Sequence, residues 1–262
     1  MYPKIISLYG PFELNSYNTA IMIGIGLFLY FANRDRRREL LMSSTEFLNL
    51  CTESALAALL GARLLHIMTH YKDYPDFYSL LKIWDGGLSI LGALFAVLAY
   101  GYWAQQRRGK SFLAIADLAS PYLPLIHATG RIGCFLVGCC HGAVTHVAWA
   151  VTYTDPRVLA PLNCSLHPSQ LYSSALYFLL FFALWVYNKS SIKRPLGTLT
   201  CLYIMGMSFE RFCIDFFRGD RIMLSANSPF SWYQWIAIAI FMGASVAFVR
   251  IRSTSVGAHE SL

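Results

Sequence analysis

Charge is scarce in this chain. Only 13% of its 262 residues are Asp, Glu, Lys or Arg, against about 25% in an ordinary soluble domain. That scarcity, with 56% hydrophobic residues and a mean hydropathy of +0.46, excludes a water-soluble globular enzyme. A cleavable export signal is also missing, since MYPKIISLYGPFELNSY has no charged start followed directly by an apolar run. No C-x-x-C pair occurs, and the seven cysteines are odd in number and lie mostly in apolar stretches, which argues against a disulfide framework. Internal repeats and low-complexity segments are absent. What remains is an integral membrane protein, and sixteen Tyr and six Trp suit one with many water–lipid interfaces.

Seven stretches approach the roughly 20 apolar residues that a bilayer crossing needs. They run over 17–33, 46–69, 86–104, 112–138, 169–188, 196–217 and 231–250. The fourth contains Pro121 and Pro124, which predict a kink or a broken turn. Orientation follows the Lys and Arg of the connections. With the N-terminus outside, twelve of the 21 basic residues fall on the inner side and six on the outer, and Arg63, Arg131 and Arg211 stay within spans. The +7 net charge therefore serves topology and anionic headgroups, and NRDRRREL reads as an anchor, not a nucleic-acid patch. The expected fold is an all-α membrane protein of about seven transmembrane helices, N-terminus out and C-terminus in, forming one domain over 1–262. Residues 141–168 form a small extracytoplasmic cap, and 253–262 a flexible polar tail.

Charges at membrane depth cost about 2.5–3.5 kcal/mol each and usually face a bundle interior or aqueous cavity. Arg63, Asp117, Arg131, Glu210, Arg211 and Asp215 lie in or near the spans, with Asp85 at a span start in WDGG. A structural Arg–Asp pairing competes with function for Arg63 and Asp117. The set points further, because Arg131, Asp215, Arg218, His141 and His167 all fall toward the outer halves of their spans. Guanidinium groups hold phosphate bidentately, so this gathering suits a phospholipid headgroup. A transporter would instead break helices at the midplane.

GRIGCFLVGCCHG, residues 130–142, places Cys134, Cys139, Cys140 and His141 beside Arg131. Thiolate and imidazole are zinc ligands, but neighbours on a continuing helix would point in different directions. The default reading is small buried apolar cysteines and no metal, with pairing of Cys139 or Cys140 to Cys164 a lesser alternative. His66 and His70 read as an interfacial pair and His127 as a core histidine. His167 opens HPSQLY, where Pro168 sets the entry to span five and Gln170 and Tyr172 add polar atoms.

WDGGLS (84–89), GRIG with its downstream glycines (130–142), HPSQLY (167–172) and RFCIDFFR (211–218) occur in an order that resembles the phosphatidylglycerol–prolipoprotein diacylglyceryl transferases. The likeness covers roughly residues 17–250, with GARLLH (61–66) and the Asp117–Pro121 stretch similar but weaker. It implies transfer of the diacylglyceryl group of phosphatidylglycerol to a lipobox cysteine thiol at the outer face of a bacterial inner membrane. Arg131 would hold the headgroup phosphate, Arg211 would be a second basic contact, and Asp215 stands where the family has glutamate. Tyr17 matches an early tyrosine. Asp85, Gly86, Gly87, Arg63, Asp117, Gln170, Tyr172 and Arg218 are further substrate-binding candidates, and His141 and His167 are candidate bases.

The family pattern is also broken. Leu91 stands at the position of a histidine, Cys134 at that of an asparagine, Cys139 at that of an acid, and Ser173 where Glu follows HPSQLY. The expectation is a divergent member acting as a monomer in the membrane without a cofactor. Its partners are phosphatidylglycerol and a secreted prolipoprotein, with no nucleic acid. The alternatives are a different acceptor or headgroup transfer, covalent carriage on Cys139 or Cys140, and a non-catalytic lipid-binding maturation factor.

Overall fold

The computed structural model describes residues 4–9, 12–74, 76–82, 86–190, 194–225 and 228–260. Helix dominates, as the hydropathy pattern predicts. In chain order the elements are a hairpin of β1 (Lys4–Tyr9) and β2 (Phe12–Asn15), then α1 (Ser16–Asn33), α2 (Arg36–Leu41), α3 (Ser44–Thr69), α4 (Phe77–Leu81) and α5 (Ile90–Arg107). They continue with α6 (Phe112–Ala119), α7 (Leu123–Val137), β3 (Val151–Thr152), β4 (Ser165–Leu166), α8 (Ser169–Lys189), α9 (Thr198–Asp215) and α10 (Trp232–Glu260). Helices thus occupy all seven apolar stretches. Among the described residues, three stretches are long and apolar enough to cross a membrane by length and composition alone: Ser44–Thr69, Ser169–Lys189 and Trp232–Thr254. The fourth stretch breaks where its prolines lie: α6 ends at Ala119, and α7 restarts with Pro124 in its first turn, a position that needs no backbone N–H donor.

The chain forms two compact units, Met1–Ala32 with Ala116–Leu262, and Asn33–Ile115. In the second, α3 begins with a capping box. The Ser43 hydroxyl accepts from the Glu46 N–H, and the Glu46 carboxylate accepts from the Ser43 N–H. Packing of α3 on α5 runs through glycines. A Cβ on Gly61 would meet the Gly92 carbonyl at 2.6 Å, and one on Gly92 would meet the Leu65 Cβ at 2.7 Å. Helices in lipid gain their packing from such close backbone approach.

The first unit holds α1 and α7 through α10. A Cβ on Gly133 would lie 3.0 Å from the Tyr17 Cα, and one on Gly24 would lie 2.9 Å from the Ile126 Cα, so α1 runs against α7. Ser174 Oγ donates to the Ala128 carbonyl at 2.9 Å, tying α8 to α7. Leu184, Leu199 and Tyr203 form the α8–α9 core. The N-terminal ends of α1, α8 and α10 and the C-terminal ends of α7 and α9 gather at one end. At the other end, Asp117 accepts from Gly197 N, Thr200 N and Thr200 Oγ1 at 2.7–2.8 Å. It thereby satisfies donors that open α9.

Residues 141–168, the segment expected as a cap, carry short strands. β3 pairs antiparallel with β4 over a core of Tyr153, Val158, Ala160 and Leu166. Helix α10 continues to Glu260, carrying helix into the segment expected as a polar tail. Residues 261–262 lie outside the described ones.

Candidate active site

The cap is stitched to the helix ends by one extended strip, His141–Ala143. Gly142 N donates to the His167 carbonyl at 3.1 Å, His167 N to the Ala143 carbonyl at 2.9 Å, Ala143 N to the Phe217 carbonyl at 2.8 Å, and Gly219 N to the His141 carbonyl at 3.2 Å. Glycine is required at 142, since a Cβ there would stand 2.7 Å from the Phe217 oxygen and closer still to the His167 oxygen. The strip therefore brings the GRIG, HPSQLY and RFCIDFFR segments together at the end where α7 and α9 finish.

HPSQLY spends its polar atoms on this assembly. Ser169 Oγ donates to the Cys140 carbonyl at 3.1 Å, and Gln170 Nε2 to the Cys139 carbonyl at 2.8 Å. Gln170 is buried, so it positions the cysteine turn from within the bundle. Tyr172 accepts from Trp149 Nε1 at 2.6 Å, and its hydroxyl lies 3.3 Å from His167 Nδ1. His141 sits in the strip with Nδ1 3.0 Å from the Gly142 carbonyl.

The arginines separate by what they touch. Arg63 donates all five of its N–H groups to backbone carbonyls. Nε goes to Leu80, Nη1 to Gly86 and Gly87, and Nη2 to Ser79 and Lys82, at 2.8–3.2 Å. No donor is left for a ligand, so Arg63 pins the backbone at Ser79, Leu80, Lys82, Gly86 and Gly87. These lie in the second unit, and Asp85 lies outside the described residues. Arg211 pairs with Asp215 at 3.1 Å and stacks over Tyr233 at 4.5 Å. Asp215 is fully buried, accepts from Ser231 Oγ at 2.5 Å and lies 3.6 Å from Arg221. It anchors the basic groups around it. Arg218 places its fork on Asp220, with two contacts of 2.7 Å.

Arg131 differs from all of these. Among the described residues its guanidinium donates no hydrogen bond. Glu210, Tyr177, Cys140 and Cys134 lie within electrostatic reach of it, as does Tyr17 on α1. The glycines of GRIG explain the proximity of Tyr17, because Gly133 lets α1 approach α7 at that residue. Glu210 is buried with Oε2 unpartnered, while its Oε1 accepts from Ser173 Oγ. A carboxylate from α9 thus stands beside position 173. Nothing in the sequence links 173 to 210. Glu210 reads only as a charge within a span, and Ser173 only as a departure.

Convergence of the cysteines corrects the picture of a continuing helix. Helix α7 stops at Gly138, whose φ of 81° is left-handed, and Cys140 takes φ 56°. The chain folds back, and the sulfurs of Cys134, Cys139 and Cys140 all lie within 4.8 Å of one another. All seven cysteines are free, and Cys164 packs against the cap core. Hydrogen bonds from the Cys134 and Cys139 thiols, aided by Arg218 and Arg131, hold the Cys140 thiol well below the ordinary thiol range. The Cys139 thiol, which donates to the Cys134 carbonyl at 3.8 Å, is pushed up by Cys134 and Cys140 beside it. His66 and His70 stack at 4.4 Å, and His127 is a core residue 2.7 Å from the Tyr203 hydroxyl.

Comparison with known proteins gives one consistent result. A family model described as prolipoprotein diacylglyceryl transferase matches residues 3–250. The chain is similar to the phosphatidylglycerol–prolipoprotein diacylglyceryl transferase of Thermotoga maritima, with 36% identity over 225 residues, 84% of this chain and 76% of the relative. It is similar to that of Clostridium tetani, with 32% identity over 247 residues, 92% and 96% of the two chains. The Legionella pneumophila (strain Corby) protein of the same name is 32% identical over 263 residues, 95% and 96% of the two.

Proposed function

The chain belongs to the prolipoprotein diacylglyceryl transferase family, and on that premise we propose that it moves the diacylglyceryl group of phosphatidylglycerol to a lipobox cysteine of a prolipoprotein. The acceptor sulfur attacks the glyceryl carbon bonded to the phosphate oxygen. The C–O bond breaks, its electron pair stays on the phosphate, and glycerol phosphate leaves. The observation that carries this reading is Arg131, a half-buried guanidinium with no hydrogen bond among the described residues, beside a buried Glu210 with one oxygen unpartnered. A buried polar group without a partner is costly, so the open guanidinium of Arg131 suits a site completed by a phosphate ligand, with Glu210 beside it holding it charged and in place.

In this reading Arg131 grips the phosphate and stabilises the charge gained as the C–O bond breaks. Arg211, oriented by Asp215, is the second basic contact. Tyr17 and Tyr172 line the approach, while Gln170 and Arg218 hold the cap in place. His141 and His167 stand in or beside the strip that joins the motifs. The chain crosses a bacterial inner membrane seven times with its N-terminus out, which puts the cap and Arg131 at the outer leaflet, where secreted prolipoproteins emerge. It works as a monomer.

The test is reconstitution in phosphatidylglycerol vesicles with a synthetic lipobox peptide, reading the peptide mass. A gain of one diacylglyceryl group is expected, along with its loss in Arg131→Ala. An unmodified peptide, with a family enzyme active alongside, would overturn the reading.

A further inference from the structure

Phosphate grip and C–O cleavage leave Cys134, Cys139 and Cys140 without a role. Three sulfurs from one turn converge within 4.8 Å of one another. A tetrahedral zinc ion with Zn–S bonds of about 2.3 Å needs its sulfurs about 3.8 Å apart, so closing around a metal shortens any sulfur pair by at most about an ångström. The turn is held for this geometry from outside. Gln170 and Ser169 fix the carbonyls of Cys139 and Cys140, and the left-handed Gly138 and Cys140 bend the chain back over Cys134.

We propose that these three cysteines bind a zinc ion whose open fourth position takes the acceptor thiol of the prolipoprotein as thiolate. The inference rests on the transferase reading. Three protein ligands and one open position is the arrangement of catalytic zinc, whereas structural sites are closed by four. Three thiolates and Zn2+ carry a net charge of −1, and Arg131 and Arg218 lie within electrostatic reach of Cys140 to offset it. A thiol coordinated to zinc is deprotonated outright, so the site performs the task of a base on a chain whose family histidine position is Leu91.

The step balances without redox change. The acceptor R–SH binds zinc and releases its proton to water. The zinc-bound sulfur forms a C–S bond to the glyceryl carbon as the C–O bond to phosphate breaks. The thioether product, a poor ligand, leaves the metal. Arg131 sits in the same cluster, so the phosphate it grips would bring the carbon toward the metal-bound sulfur. Covalent carriage on one of the three thiols is a poorer solution, because a thioether once made has no good leaving group for a second transfer.

The experiment uses the full chain, purified in detergent and loaded with Zn2+ or Co2+ alone. One zinc per chain is expected, as is a cobalt form with sulfur-to-metal charge-transfer absorption that changes when lipobox peptide is added. It should not change with the same peptide carrying Ser for Cys. Cys134→Ser, Cys139→Ser and Cys140→Ser should each lower zinc affinity and transfer by more than about tenfold, the lower bound given by loss of an outer-shell partner. Cys164→Ser should leave both unchanged. Wild-type protein that modifies the peptide while binding no zinc, or while its chelator-treated form stays fully active, overturns the metal site and leaves the transferase reading standing. A cobalt spectrum indifferent to the peptide thiol overturns the open position. Zinc bound by a protein that cannot modify the peptide retires the transferase reading and the activating role together.

Discussion

Replacing Arg131 separates a ligand-binding arginine from a structural one. Its guanidinium makes no hydrogen bond among the described residues, so Arg131→Ala orphans no described acceptor. The apparent melting temperature of the detergent-solubilised protein should then move by only about 2 °C, the scale of a sub-kilocalorie change in a chain this long. Activity should behave differently. A bidentate grip on phosphate comprises two charge-assisted hydrogen bonds worth about 1.5–3 kcal/mol each. At about 1.36 kcal/mol per tenfold, their loss in the transition state costs roughly 10²- to 10⁴-fold in kcat/KM. Arg131→Lys keeps the charge but loses the fork, and should fall between wild type and Ala. The assay is the vesicle reaction with lipobox peptide, run beside thermal unfolding of each variant. An Ala variant within about threefold of wild type would refute the phosphate grip. So would an activity loss that tracks a large fall in melting temperature.

Arg63→Ala should show the opposite pattern. Up to five backbone carbonyls lose their donor, so it should destabilise by roughly 3 kcal/mol or more, seen as a lower melting temperature, and Lys should not rescue it. Gly142→Ala puts a Cβ against two carbonyl oxygens. It should cost about 1–3 kcal/mol and abolish transfer by parting the cap from α9, read by limited proteolysis of the 141–168 segment. Asp117→Ala removes the acceptor for three donors at the start of α9. It should cost about 1–2 kcal/mol with KM for lipid unchanged in the surviving enzyme. In the cap, hydrogen bonds from Arg157 hold the Asp155 carboxyl at about 2. A depressed pKa gives stability that is fully present above the ordinary carboxylate value and lost as pH falls through 2. The gap in melting temperature between wild type and Asp155→Asn should therefore be steady from neutral pH down to about 5 and shrink below that.

Much of this protein was legible along the chain, because the decisive physics is local. Lipid demands long apolar helices, prolines break them, and charges within them are costly wherever they sit. The seven apolar stretches, the break at Pro121 and Pro124 and the family motifs all follow from composition and short spacing. Contacts far apart in sequence were not legible. Arg63 and Arg131 both lie within apolar stretches, each within two residues of a glycine, and only the folded chain gives one five carbonyls and leaves the other open. Gln170 and Asp117 look like ligand groups until their partners, the Cys139 carbonyl and the N-terminus of α9, come into view. The carboxylate beside Ser173 comes from Glu210, 37 residues away. For the cysteines the sequence shows three thiols and nothing of their directions. Those depend on left-handed backbone at Gly138 and Cys140, a conformation that the tertiary contacts of the cap select.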